Sequence, residues 1–196
     1  MVTCNHVHLL VVDDGGRDVI PNSMQLVSGR TGQEYNQRKS RKRAYWDVCY
    51  HATGVESGDH PARCMVYIDI NGMRADVVSH PSQWSFSGYN EIQEPRRKNV
   101  LVDYDRLPGM LGAGSYEQLK GSRKGWVKEY LGNGKKGREG EWTVSIAVRN
   151  RPFVEKVKPL LGFRAKGRKI TRSGKGYQVR EAPAHYNEFW GPKKRI

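Results

Sequence analysis

The basic side chains of this chain are crowded into its second half, and that imbalance limits how the chain can fold. Residues 1–100 carry 12 Lys and Arg against 11 Asp and Glu, whereas residues 101–196 carry 22 against 9. A segment that basic repels itself unless a polyanion or counterions compensate, and nucleic acid is the commonest such partner. The whole chain, 196 residues with a formal charge of +14, is long enough for one domain with a real core plus an appendage. With 37% hydrophobic and 28% charged residues, it has the composition of neither a disordered chain nor a membrane protein. The longest apolar run, Val7 to Val12 with only His8 in it, is too short to cross a bilayer, and it lacks the basic lead-in and cleavage site of a secretory signal. A cytoplasmic protein with no membrane partner is the expectation. Cys4, Cys49 and Cys64 show no CxxC spacing, which argues against a disulfide framework and fits a reducing compartment.

Along the chain, His6 to Val12 (HVHLLVV) reads as a buried strand that ends at Asp13-Asp14-Gly15-Gly16. Pro21 to Asn36 has helical spacing at Met24, Val27, Thr31 and Tyr35, weakened by Gly29 and Gly32. Ala44 to Ala52, rich in aromatics, reads as a strand. A helix is predicted from about Pro61 to Ala75, with Ser57 or Asp59 capping its free N–H groups. The charge changes character at Glu94-Pro95-Arg96-Arg97-Lys98, which places a domain boundary after residue 93. Beyond it, Ser115-Tyr116-Glu117-Gln118 matches a capping box ahead of a helix to about Leu131. Gly132 to Gly140 is a basic loop, Trp142 to Val148 alternates like a strand, and Phe153 to Leu161 reads as a short helix interrupted by Pro159. From Gly162 to Ile196 the chain is basic and only partly ordered by itself.

Two constellations carry chemistry. On a strand, residues i and i+2 share a face, so His6 and His8 would project side by side and supply half a metal site. The same pair also reads as ordinary hydrogen-bonded histidines at a strand end. In the predicted 61–75 helix, Arg63, Tyr67, Asn71 and Arg74 recur at spacings of four, four and three, which sets them on one stripe. A phenol flanked by an amide and arginines suits phosphoryl transfer: the phenolate attacks phosphorus, a cation neutralises the oxygens, and the amide oxygen ligates a metal. It also reads as a tyrosine lying along the helix flank beside Met65 and Ile68.

Asn5-His6-Val7-His8-Leu9-Leu10 resembles the NHVHLL signature of the HUH single-tyrosine transposases, and Tyr67-Ile68-Asp69-Ile70-Asn71-Gly72-Met73-Arg74-Ala75 resembles that family's YIxxNPVRA helix. Val78, Pro81, Trp84, Ser87, Gly88 and Tyr89 continue the pattern. The likeness is closest to the REP-associated tyrosine transposases and related bacterial insertion-sequence transposases, and covers about residues 5–90. It implies a ferredoxin-like α+β domain over 1–93, with an antiparallel sheet and helices on one face, followed by a basic, mainly helical extension over 94–196. It implies Tyr67 as nucleophile and His6, His8 and Asn71 as ligands of Mg²⁺ or Mn²⁺; imidazoles favour Mn²⁺, while Mg²⁺ is the more abundant ion. The implied activity is DNA transposition: ATP-independent cleavage and rejoining of single-stranded DNA at hairpin-forming repeats of a mobile element, through a 5′-phosphotyrosine. Family members include monomers and homodimers.

The resemblance has departures. Family members place about one helix and one or two strands ahead of the histidine strand, so the chain reads as an N-terminally truncated member. Cys4 stands where the family often has proline, and Gly72 stands where it has proline, which loosens the helix just after Asn71. A second expectation is therefore a catalytically inactive remnant that only binds DNA. Arg41, Lys42 and Arg43 beside Tyr45 and Trp46, Arg63 and Arg74 on the tyrosine helix, and Lys166, Arg168 and Lys169 are the candidate DNA contacts. A zinc module built from Cys4, His6, His8, Cys49 and His51 is a third reading. Gly162 to Ile170 has the first spacing of a phosphate-binding loop but lacks its Gly-Lys-Ser/Thr.

Overall fold

Helix α1, Val19–Arg38, is the longest element of the computed structural model, which describes residues 1–3, 6–16, 18–47, 50–133, 142, 145–160, 167–173 and 176–180. It belongs to the smaller of two compact units, His8–Ala52; the other joins Met1–Val7 to Thr53–Ile196. The helix predicted over Pro21–Asn36 thus forms, with two further residues at each end. Three rings fasten the following loop to it. Tyr45 lies 4.6 Å from Tyr35 and 4.9 Å from Trp46, ring to ring, and the Trp46 indole N–H donates to the Ser28 carbonyl at 2.9 Å. A Cβ at Gly32 would meet the Cβ of Tyr45 at 3.4 Å, an ordinary van der Waals contact. The strand expected over Ala44–Ala52 is absent among its described residues, since the rings a sheet would engage are packed on α1 instead.

The expected strand His6–Val12 is likewise not formed. Leu9 and Val11 are 52% and 53% exposed, and among the described residues the segment's one ladder contact is an antiparallel bridge between Val2 and Val7. The apolar pattern is there, but a strand persists only where neighbouring strands take up its N–H and C=O groups.

In the larger unit, strand β1 (Gly54–Val55) leads into α2 (Asp59–Asp69) and α3 (Asn71–Arg74). A 3₁₀ turn (Pro81–Gln83), α4 (Gly88–Gln93), α5 (Arg106–Met110) and α6 (Tyr116–Gly132) follow. The chain then forms β2 (Ser145–Arg149), α7 (Arg151–Leu160), β3 (Ile170–Ser173) and β4 (Gly176–Arg180). The four strands make one mixed sheet in the order β1-β2-β4-β3, parallel between β1 and β2 and antiparallel elsewhere. The architecture is α+β. Among the described residues, three of the four strands come from beyond residue 93, so the 94–196 segment supplies most of that sheet as well as helices. The expected boundary after residue 93 is also bridged by side chains, most tightly by Asp69 and Arg123.

Each helix forms for a local reason. Ser115 Oγ accepts from the Gln118 N–H at 3.2 Å and starts α6; Gln118 Oε1 reaches past the cap to the Gly114 N–H, at 2.7 Å. The cap of α2 is Gly58, in place of the expected Ser57 or Asp59: its φ of 99° is open to glycine, and a Cβ would press on the Arg149 guanidinium at 2.8 Å. The predicted 61–75 helix breaks at Ile70, where Met73 N–H bonds Ile70 O in a tighter turn before α3 continues. Gly72 lies beside that break, and a Cβ there would be 3.1 Å from Val78.

Three clusters bury the apolar faces. Val66, Ile70, Tyr89 and Val127 join α2, α4 and α6; Ile146, Val154 and Val179 seat α7 on the sheet; Cys64, Tyr67 and Trp142 close the other side of α2. Each fully buried aliphatic side chain contributes about 1.5–3 kcal/mol. Helix α6 also carries two exposed interior glycines, Gly121 and Gly125, whose Cβ positions meet nothing within 4 Å. Replacing either with alanine is expected to raise the unfolding free energy by about 0.5–1 kcal/mol, read from urea melts, because only backbone entropy changes.

Candidate active site

Helix α2 buries Tyr67 to 4% exposure, and the ring of Trp142 stands 6.3 Å away. From α3, the Arg74 guanidinium carbon lies 3.7 Å over the Tyr67 ring, and its Nη2 donates to Asn71 Oδ1 at 2.6 Å. The stripe predicted from sequence therefore brings Tyr67, Asn71 and Arg74 into one contact group, even though the helix breaks between the first two. The cation faces the electron-rich ring, an attraction worth about 2 kcal/mol where water is excluded. Arg63, the first member of the stripe, lies exposed a turn earlier on α2. Its charge and that of Arg149 act with partial burial, the largest cause, to hold His60 below the usual imidazole range.

The histidines sit differently. His6 is exposed: the Thr3 N–H donates to the His6 carbonyl at 2.8 Å, and the His6 N–H donates to Thr3 Oγ1 at 3.0 Å. Val2 ties the start of the chain to the segment before α4, its N–H on the Phe86 carbonyl at 3.0 Å and its carbonyl accepting from Trp84 Nε1 at 2.8 Å. His8 is half-buried, in the irregular segment of the smaller unit. The strand geometry that would set both imidazoles on one face is therefore not present in the described conformation. Two imidazoles and an amide oxygen are a donor set that suits a divalent ion, but the Asn71 oxygen already accepts from Arg74. Among the described residues no three His, Cys, Asp or Glu side chains gather to hold a metal. Of the alternative zinc set, Cys4 and Cys49 lie outside the described residues.

Of the candidate DNA contacts, Arg41, Lys42 and Arg43 are exposed on the loop after α1, with Arg41 5.6 Å over the Tyr35 ring. Lys169 is exposed and Arg168 Nη1 donates to the Arg180 carbonyl at 3.3 Å, both just ahead of β3; Lys166 lies outside the described residues.

A buried ion pair on α2 was not foreseen from the sequence. Arg123 and Asp69, each 2% exposed, form an ion pair at 2.5 Å between α6 and α2. Burial raises the Asp69 carboxyl above its ordinary range, against the opposing pull of Arg123 and a hydrogen bond from Ser87. A signal existed: Leu119, Arg123 and Val127 recur at spacings of four, which puts the arginine on the buried stripe of α6.

Comparison with family models, with curated proteins and with solved structures finds no match to this chain in any of the three. No helix among the described residues is long and apolar enough to cross a membrane.

Proposed function

We propose that this chain cleaves and rejoins single-stranded DNA, with Tyr67 as nucleophile, as the resemblance to the HUH single-tyrosine transposases implies. The observation that carries the reading is the contact group itself: a guanidinium 3.7 Å over the phenol ring and 2.6 Å from the amide oxygen. In the cleavage step the Tyr67 oxygen attacks the scissile phosphorus and the P–O3′ bond breaks. The 3′ oxygen leaves as a hydroxyl, taking up the proton that the phenol gives up, and a 5′-phosphotyrosine remains for rejoining. Arg74 is suited to neutralise charge beside the attacking oxygen, and Asn71 is held by it. A Mg²⁺ or Mn²⁺ ion held by His6, His8 and Asn71 would supply Lewis-acid polarisation of the phosphate.

The reading carries a ferredoxin-like sheet for residues 1–93, which requires residues 6–12 to pair as a strand. It also carries a cytoplasmic setting, hairpin-forming DNA repeats as substrate and a homodimer as one working form. Arg41, Lys42, Arg43 and Arg63, with Lys166, Arg168 and Lys169, supply the sequence-independent, salt-sensitive part of binding. A second reading, an inactive remnant that only binds DNA, is favoured by the burial of Tyr67 and by the segment 8–12, which does not form a strand.

The test is the full chain with Mn²⁺ and a labelled hairpin oligonucleotide, followed by denaturing electrophoresis and peptide mapping. A covalent adduct on the peptide holding Tyr67 is expected. A salt-dependent mobility shift without any adduct would decide for the remnant.

A further inference from the structure

Within the smaller unit, an exposed tryptophan stands beside a basic loop that the helix holds in place. The end of α1 and the loop after it carry Arg38, Lys39, Arg41, Lys42 and Arg43, all exposed. Over residues 33–47 only Glu34 and Asp47 oppose them. The loop backbone is tied down at three points. The Lys39 N–H donates to the Tyr35 carbonyl at 3.0 Å, the Arg41 N–H to the Asn36 carbonyl at 2.8 Å, and Asn36 Nδ2 to the Arg43 carbonyl at 2.8 Å. The cations are therefore presented together, at the helix end where the macrodipole also favours positive charge.

Trp46 follows and is 36% exposed, while Tyr35 and Tyr45 are half-buried. The indole is anchored by one edge. Its Nε1 donates to the Ser28 carbonyl at 2.9 Å, and its Cδ1 stands 4.0 Å from where a Cβ of Gly32 would be, one turn along α1. The six-membered ring lies on the opposite side of the indole from that edge. The contacts run without a gap from Arg41 over Tyr35 at 5.6 Å, to Tyr45 at 4.6 Å and Trp46 at 4.9 Å, so the cation and the open ring belong to one packed group.

We propose that Trp46 and this loop form a stacking platform for single-stranded DNA, the indole taking one base and the cations taking phosphates. The alternatives each leave half of the surface unused. Duplex DNA offers phosphates, but its bases are stacked on one another and present no open face. An acidic peptide offers charge and no aromatic plane for the indole. A single strand offers both at once, and an indole already fixed in place loses little freedom when a base stacks on it. Every base has a π-face, so the platform reads strand state and not sequence.

The proposal deepens the strand-cleavage reading and rests on it only for the choice of DNA over RNA. The test is fluorescence anisotropy of the full chain with labelled strands of one length: oligothymidine, the same phosphate chain carrying abasic sites, a duplex, and oligouridine. Oligothymidine is expected to bind about ten-fold more tightly than the abasic strand, the scale of one stacked base. Trp46→Ala should bring those two strands to equal affinity and shrink the margin over duplex by the same factor. Its slope of log affinity against log salt should match wild type, whereas Arg41→Gln with Lys42→Gln should lower that slope by about 1.4. Should the alanine variant fold poorly, Trp46→Phe keeps a ring and should keep most of the preference. Equal wild-type affinity for the abasic and thymidine strands, or an alanine variant that keeps the preference, overturns the proposal. Oligouridine bound more tightly than oligothymidine overturns the assignment to DNA. A Tyr67 adduct formed by a chain with no preference for bases retires the platform alone. A preference that Trp46→Ala removes, in a chain that makes no adduct, retires strand transfer and leaves the platform standing.

Discussion

Replacing Arg123 with leucine is expected to lower the unfolding free energy by about 3–5 kcal/mol, because it strands the Asp69 carboxylate in the core with its partner gone. The pair is 2.5 Å apart, both side chains are 2% exposed, and it joins the last turn of α2 to the middle of α6. The pair is not an unmixed gain for the wild type. Arg123 Nε and Nη1 are buried without hydrogen-bond partners among the described residues, and the guanidinium stands 5.7 Å from the Tyr89 ring. Desolvating two ions is expensive, so Asp69→Leu with Arg123→Leu is expected to recover most of the loss in urea melts.

The sign of the pH dependence follows from Asp69, whose carboxyl is raised by burial. A folded-state value above the unfolded value of about 3.9 means the native chain binds more protons between the two, so stability falls as pH rises through that window. Removing Arg123 takes away the main opposing charge and should widen the window upward. The Arg123→Leu variant is thus expected to lose more stability than wild type between about pH 4 and neutrality, and the double variant to lack that extra slope. A single variant as stable as wild type at pH 7 would mean that the pair does not pin α2 to α6.

How much of this was legible in the sequence depends on the range of the interactions. Helix periodicity is local, so the stripe Tyr67, Asn71 and Arg74 could be placed together from spacing alone, and the tertiary contacts did not move it. The helices at 19–38, 116–132 and 151–160 were readable for the same reason, as was the strand at 145–149 to within three residues. Sheet pairing is non-local, and there the reading failed. Strand β1 is two residues long and pairs in parallel with β2, Gly54 with Ala147, a contact no local pattern announces. The run His6–Val12 had a strand's composition, but composition cannot supply the neighbour that a ladder needs. The Asp69–Arg123 pair was hidden because charge alone reads as surface; only the apolar residues a turn either side of Arg123 betray its burial. The metal set and the DNA contacts rest on the family resemblance, and the folded chain adds to them only around Asn71.

Tyr67→Phe is expected to abolish the covalent DNA adduct while leaving the unfolding free energy within about 1.5 kcal/mol of wild type. The expectation comes from the two jobs this residue would hold at once. Its ring is part of the core, packed with Cys64 and Trp142 and covered by the Arg74 guanidinium at 3.7 Å. Phenylalanine keeps that ring, its volume and its attraction for the cation, so α2 and α3 should stay as they are. What it removes is the oxygen proposed to attack phosphorus. Tyr67→Ala is a different experiment: it opens a cavity under Arg74 and Trp142 and should cost about 3–5 kcal/mol of stability, so lost activity in that variant would say nothing about chemistry. Comparing the two separates the nucleophile from the core residue. If the phenylalanine variant still forms adduct at the wild-type rate, the covalent bond is made elsewhere and the burial of Tyr67 is a matter of packing alone. If it folds as wild type and forms none, the phenol oxygen carries the reaction, and the side chain must reach DNA from a position that is only 4% exposed in the free chain. Active protein must then open around Tyr67 when DNA binds, which increased hydrogen exchange over residues 59–74 in the presence of the oligonucleotide would register.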